Sequence, residues 1–87
     1  MKIKKGFVVR EVGGENVAVP VGAQAKTFRG MIKLNETGKF LWDFFAEDKT
    51  VDEAVAAMLE VYDVEEAVAR EDAERFASVL LENGFAE

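Results

Sequence analysis

The segment KLNETGKFLWDFF, Lys33 to Phe45, is where the chain changes period, and that change decides the fold. Before it, β-branched runs alternate in part; after it, apolar residues recur every three or four positions. Asn35 is a natural N-cap, because its side-chain oxygen can accept from a free N–H of the first helical turn. Glu36 suits the positive end of the helix dipole. Phe40, Trp42, Phe44 and Phe45 then place four of the chain's nine aromatic residues within six positions. At about 100° per residue, Gly38, Phe40, Leu41, Trp42, Phe44 and Phe45 cover well over half of the helix circumference. A helix that is apolar nearly all round packs against more than one neighbour. The cluster therefore reads as core, each large side chain contributing about 1.5–3 kcal/mol on burial.

Upstream, Phe7 to Val12 and Glu15 to Val21 flank Gly13-Gly14, a two-residue hairpin signal in which glycine supplies the positive φ of a primed turn. Pro20 removes a donor, so that strand end lies at an edge or a bend. Gly22 to Lys26 reads as a loop, and Phe28 to Leu34 as a third strand with Met31 and Lys33 opposite Ile32 and Leu34. Downstream, Thr50-Val-Asp-Glu53 is a capping box that opens a second helix ending at Tyr62-Asp63. A third helix runs to Asn83, with Gly84 as its C′ residue and Phe85 folding back. The expected fold is α+β: a three-stranded antiparallel sheet followed by a three-helix bundle, a small winged-helix-like domain. One domain spans residues 1–87, with strands within 6–34 and helices at about 35–47, 50–62 and 65–83.

Composition narrows the function. The chain is 49% hydrophobic and 32% charged, an ordinary globular balance. It has neither cysteine nor histidine, which removes disulfides, thiolate ligands, the commonest general base and the commonest metal ligand. Its single serine, Ser78, has no partner for nucleophilic chemistry. We expect no catalysis, no metal and no cofactor. The basic N-terminus lacks the apolar run of a signal peptide, and no stretch approaches the ~18 apolar residues of a membrane span. A soluble cytoplasmic protein is expected, with no membrane partner.

Charge is segregated. Residues 1–33 carry seven Lys/Arg against two acids, a balance of +5; residues 34–87 carry four against fifteen, a balance of −11. A winged helix suggests DNA, but the third helix carries six acids against Arg70 and Arg75 and would repel phosphates. Nucleic acid is therefore not an expected partner. On that helix Asp72 falls inside the apolar arc and must find a partner, Arg75 or a neighbouring backbone, or else meet a ligand. Ala69, Ala73 and Ala77 form a small-residue stripe that either admits a closely packed element or floors a groove.

Taken in order, LNETG (Leu34 to Gly38) with Trp42, TVDE (Thr50 to Glu53), Tyr62-Asp63, Asp72 and Gly84-Phe85 resemble the PqqD-like family from about Phe28 to the C-terminus. These are small, non-catalytic recognition elements, or peptide chaperones, of ribosomally made and modified peptide pathways, among them pyrroloquinoline quinone biosynthesis. The resemblance implies a leader segment of a precursor peptide, added as an extra strand and presented to a radical S-adenosylmethionine or other maturation enzyme. The edge it implies is Arg29, Gly30, Met31, Ile32, Lys33 and Leu34, with a wall of Ala69, Ala73, Phe76, Ala77 and Leu80. Arg29, Lys33, Arg70 and Arg75 would meet acidic leader residues. An edge that captures peptides can also capture a second copy, so a homodimer is a further partner to test. The readings from other classes are a DNA-binding winged helix and a structural subunit of a larger enzyme complex.

Overall fold

A computed structural model of the chain describes residues 1–27 and 30–87. Its elements run β1 (Phe7–Val12), β2 (Glu15–Pro20), α1 (Gln24–Thr27), β3 (Ile32–Leu34), α2 (Glu36–Phe44), α3 (Val51–Val61) and α4 (Glu66–Glu82). The strands form one antiparallel sheet in the order β1-β2-β3. The hairpin turns at Gly13 and Gly14, whose φ angles of 60° and 83° are the pair a type I′ turn requires. Val12 opposes Glu15 directly across it.

Two expectations are corrected here. Among the described residues there are four helices rather than three, because part of the segment expected as loop makes the single turn α1. The residues Ala23 to Lys26 are helix formers, and Ala25 and Lys26 donate to Gly22 and Ala23 at 3.1 and 3.2 Å. The third strand is also shorter than expected. Phe28 and Arg29 lie outside the described residues, while Gly30 and Met31 stand before the paired segment. Pairing ends at Ala18 with Ile32; two steps further the register would set Gly30 against Pro20, which has no N–H to give.

The helix termini follow the local chemistry of the sequence. The Asn35 side chain accepts from the Gly38 N–H at 2.8 Å. Thr50 and Glu53 close a reciprocal capping box, at 3.1 and 2.9 Å. At the end of α4, Phe85 N–H donates to the Leu80 carbonyl at 2.8 Å and Gly84 N–H to Leu81 at 3.3 Å. With Gly84 at φ 78°, that is a Schellman ending.

The inner face of the sheet, Val9, Ala18, Ile32 and Leu34 with Phe7 at its end, packs on Leu41, Trp42 and Phe45 of the α2 segment. α4 packs chiefly on α3 and to a lesser extent on α2. Phe85 lies with its ring centroid 4.8 Å from Phe7 and 5.8 Å from Trp42, tying the end of α4 to the sheet. The N-terminal residues close the far side. Lys2 and Glu87 exchange backbone bonds of 2.8 and 2.9 Å, Ile3 donates to Phe45 at 2.9 Å, and Lys4 donates to Phe85 at 2.9 Å.

Candidate functional site

The geometry of the sheet decides which backbone groups are free. Val21 N–H donates to the Gly6 carbonyl at 2.7 Å, and the two-residue turn closes on Val12 and Glu15. Residues 15, 17, 19 and 21 therefore direct their backbone groups at β1, and Asn16 and Ala18 direct theirs at β3. Their partners Leu34 and Ile32 point back inward. Lys33 alone within β3 turns its N–H and C=O to the outer margin. Among the described residues no backbone hydrogen bond occupies that margin.

Beside the margin lies a cleft of about 410 Å³ between β3, the start of α2 and α4. Ile32, Leu41, Phe76 and Val79 give it an apolar lining, and Gly38 forms part of its floor. Lys33, Asn35, Thr37, Asp72 and Arg75 supply the polar groups. Arg75 donates to Asp72 at 2.5 Å and approaches Glu71 at 3.6 Å. Lys33 stands 3.4 Å from Glu15 on the neighbouring strand. Asn35 Oδ1 is committed to the cap, accepting also from the Thr37 hydroxyl at 3.2 Å.

Gly38 has a specific reason to lack a side chain. A Cβ there would come within 3.0 Å of Asn35 Oδ1 and 3.5 Å of the Phe76 ring. An alanine there would press on the cap oxygen while meeting the Phe76 ring at ordinary contact distance. The outcome is a trough with an apolar floor, two cations at its rim and an unpaired strand edge along one side. It can hold an extended chain by main-chain pairing and select among chains through every second side chain.

The sequence-derived residues divide accordingly. Ile32, Lys33 and Phe76 meet in the cleft. Gly30 and Met31 are exposed just before β3, and Arg29 lies outside the described residues. Leu34, Ala69, Ala73, Ala77 and Leu80 are buried, so they shape the cleft from beneath rather than line it. The alanine stripe serves close packing within the helical layer, where Ala69 and Ala73 join the core. Arg70 is turned away to α3, where it donates to Asp52 at 2.8 Å. That bond, ahead of the carboxylate's charge, raises its pKa.

The cleft also includes Asn35, Thr37, Gly38, Leu41 and Val79, absent from the expected contact set. Asp72 and Arg75 were signalled by the one carboxylate placed inside an apolar arc. Val79 shares that arc, and Gly38 stands in the first turn of a helix where glycine is otherwise unfavourable.

No curated protein is similar enough to this chain to count as a match. Two solved structures share its fold. One is described as TbiB1 in complex with the TbiA(beta) leader peptide, with 24% identity, a TM-score of 0.77, and coverage of 100% of this chain and 95% of that one. The other is lasso peptide synthetase B1 complexed with the leader peptide, with 17% identity, a TM-score of 0.75, and coverage of 99% and 95%. The family model for Coenzyme PQQ synthesis protein D matches residues 16–86, from the second strand to the tail that closes α4, and this chain belongs to that PqqD family.

Proposed function

We propose that this protein captures the leader segment of a ribosomally made precursor peptide by strand addition to β3 and presents it to a maturation enzyme. The observation that carries the reading is the open outer margin at Lys33, set directly above the apolar cleft. Family membership supports it, as do the two neighbours of the same fold, each described in complex with a leader peptide. The peptide's inward side chains rest on Ile32, Leu41, Phe76 and Val79, while Lys33 and Arg75 meet its acids.

The protein itself is non-catalytic in this reading. A chain without histidine or cysteine, whose cleft holds a cap amide and an ion pair, offers positions for binding rather than for bond making. The maturation enzyme, a radical S-adenosylmethionine enzyme or one from a lasso-type system, performs the chemistry in the cytoplasm. Among the described residues no helix is long and apolar enough to cross a membrane.

An amide NMR titration with the leader of a precursor encoded beside this protein tests the proposal. The expected result is shifts at Ile32, Lys33, Gly38, Asp72 and Val79. Shifts confined to the α3 side of α4, or none at saturating peptide, would overturn it.

A further inference from the structure

The apolar wall continues beyond the cleft. On α4, Val68, Asp72 and Val79 fall within about 40° of one another, so Val68 prolongs the cleft-lining stripe by one turn toward the helix N-terminus. Val64 stands just before that helix and Val61 ends α3. These three valines are 46%, 41% and 61% exposed, whereas Val17 and Val55 are buried. The direction of the stripe follows from the packing. The C-terminal end of α4 lies by Phe7, at the end of the sheet where β3 begins. Its N-terminal end lies by Tyr62, whose ring stacks edge-on against Phe40 of α2 at 5.5 Å. The stripe therefore leaves the cleft past the finish of β3.

The corner it reaches is strongly acidic. Glu60, Asp63, Glu65 and Glu66 are exposed and interleave with these valines along the chain, and among the described residues none of the four has an ion-pair partner. The nearby base, Arg70, is already held by Asp52 at 2.8 Å.

We infer that this corner is a second subsite for the same peptide. The peptide residues that run on past the Leu34 end of β3 dock an apolar side chain on Val61, Val64 and Val68, with a lysine or arginine beside it. The inference rests on strand addition at β3 and adds to it a flanking segment of opposite charge preference. Lys33 and Arg75 favour acids along the strand, while the corner rejects acids and attracts bases. The two preferences together fix the direction in which the peptide lies.

Three fluorescein-labelled synthetic peptides provide the test. One is a core, Leu-Glu-Val-Glu-Ile; the others carry Lys-Leu-Lys-Phe or Glu-Leu-Glu-Phe, each prepared at either end of that core. Anisotropy titrations compare the wild-type chain with the double variant Val64→Ser, Val68→Ser, which changes exposed residues alone. We expect the basic extension to tighten binding about tenfold at one end of the core only, with a gain that shrinks as salt is raised. The double variant should bind the core as the wild type does and lose that gain.

A gain of zero at both ends, or one that survives in the double variant, overturns the second subsite and leaves strand addition standing. Failure of every peptide to bind the wild type overturns both. A wild-type chain that self-associates while the double variant stays monomeric assigns the corner to a second copy and also overturns the inference.

Discussion

Replacing Lys33 by proline tests main-chain capture at the atom that would perform it. In β3 the backbone groups of Ile32 and Leu34 face β2, and Lys33 faces the open margin. Proline is tolerated on an edge strand when its missing N–H points to solvent, so the fold should survive. The substitution removes one peptide-facing donor, costing about 1 kcal/mol in the complex. Its ring also stands where the incoming backbone would lie, and we set that obstruction at about the same size, so the two together weaken binding ~30-fold beyond the loss of the charge. Lys33→Ala is the control, because it loses the exposed charge but keeps the donor. An exposed pair is worth below ~1 kcal/mol, so alanine should cost about fivefold at most. Calorimetric titration of the leader into both variants gives the comparison, after amide spectra show that each is folded. Equal affinities for the proline and alanine variants would refute capture through this edge.

The remaining predictions concern the cleft floor, the caps and the core. Gly38→Ala should leave stability nearly unchanged, because about 1 kcal/mol of helix propensity offsets a strained Asn35 cap. Leader affinity should also stay nearly unchanged, because the new Cβ meets the Phe76 ring at an ordinary 3.5 Å; a severalfold loss would show that the methyl intrudes on the peptide. Thr50→Ala should destabilise by about 1 kcal/mol, read as a lower melting temperature. The backbone N–H of Thr50, then its hydroxyl, hold the Glu53 carboxyl below its ordinary value of 4.5. Its contribution is thus complete above about pH 4.5 and lost as pH falls through the depressed value, so the variant's deficit should narrow in acid. Leu80→Ala removes a fully buried side chain and should cost about 2–5 kcal/mol, a large part of a small domain's stability in urea unfolding.

What could be read from sequence was what residues settle with near neighbours. The Gly13-Gly14 turn, the Asn35 cap, the Thr50–Glu53 box and the Gly84 ending are each completed within five residues, and each is found as its local chemistry dictates. The short helix α1 escaped because one turn is too brief to show a period. Gly30 and Met31 belong to a run of strand-like sequence yet stay unpaired, because the limit is imposed by Pro20 on another strand. The alanine stripe has two meanings in sequence alone, and the packing of α4 on α3 decides between them: Ala69 and Ala73 are buried, and Asp72, Arg75 and Val79 face the cleft. The backbone clasp between residues 2 and 87 joins opposite ends of the chain, and no local pattern announces it.

The division of labour within the sheet has a thermodynamic consequence. β3 contributes three paired residues and is bonded on one side, yet Leu34 is buried and the cluster from Leu41 to Phe45 anchors the segment that follows. An edge so held is fixed in position while its outward groups remain unsatisfied by protein. A peptide that binds the folded state stabilises it by about 2.7 kcal/mol at a hundredfold excess over Kd, and that gain reaches every amide protected by global unfolding alone. Strand addition predicts something more local: the Lys33 N–H, exposed to solvent in the free protein, becomes a hydrogen-bond donor to the peptide. Hydrogen exchange at that excess should therefore slow Lys33 by up to about a hundredfold, as it slows the globally protected amides of α3 and α4, while Gly30 and Met31 keep the rates of the free protein. If Lys33 exchanges as fast with saturating leader as without it, binding leaves the strand edge open and the peptide is held by side chains alone.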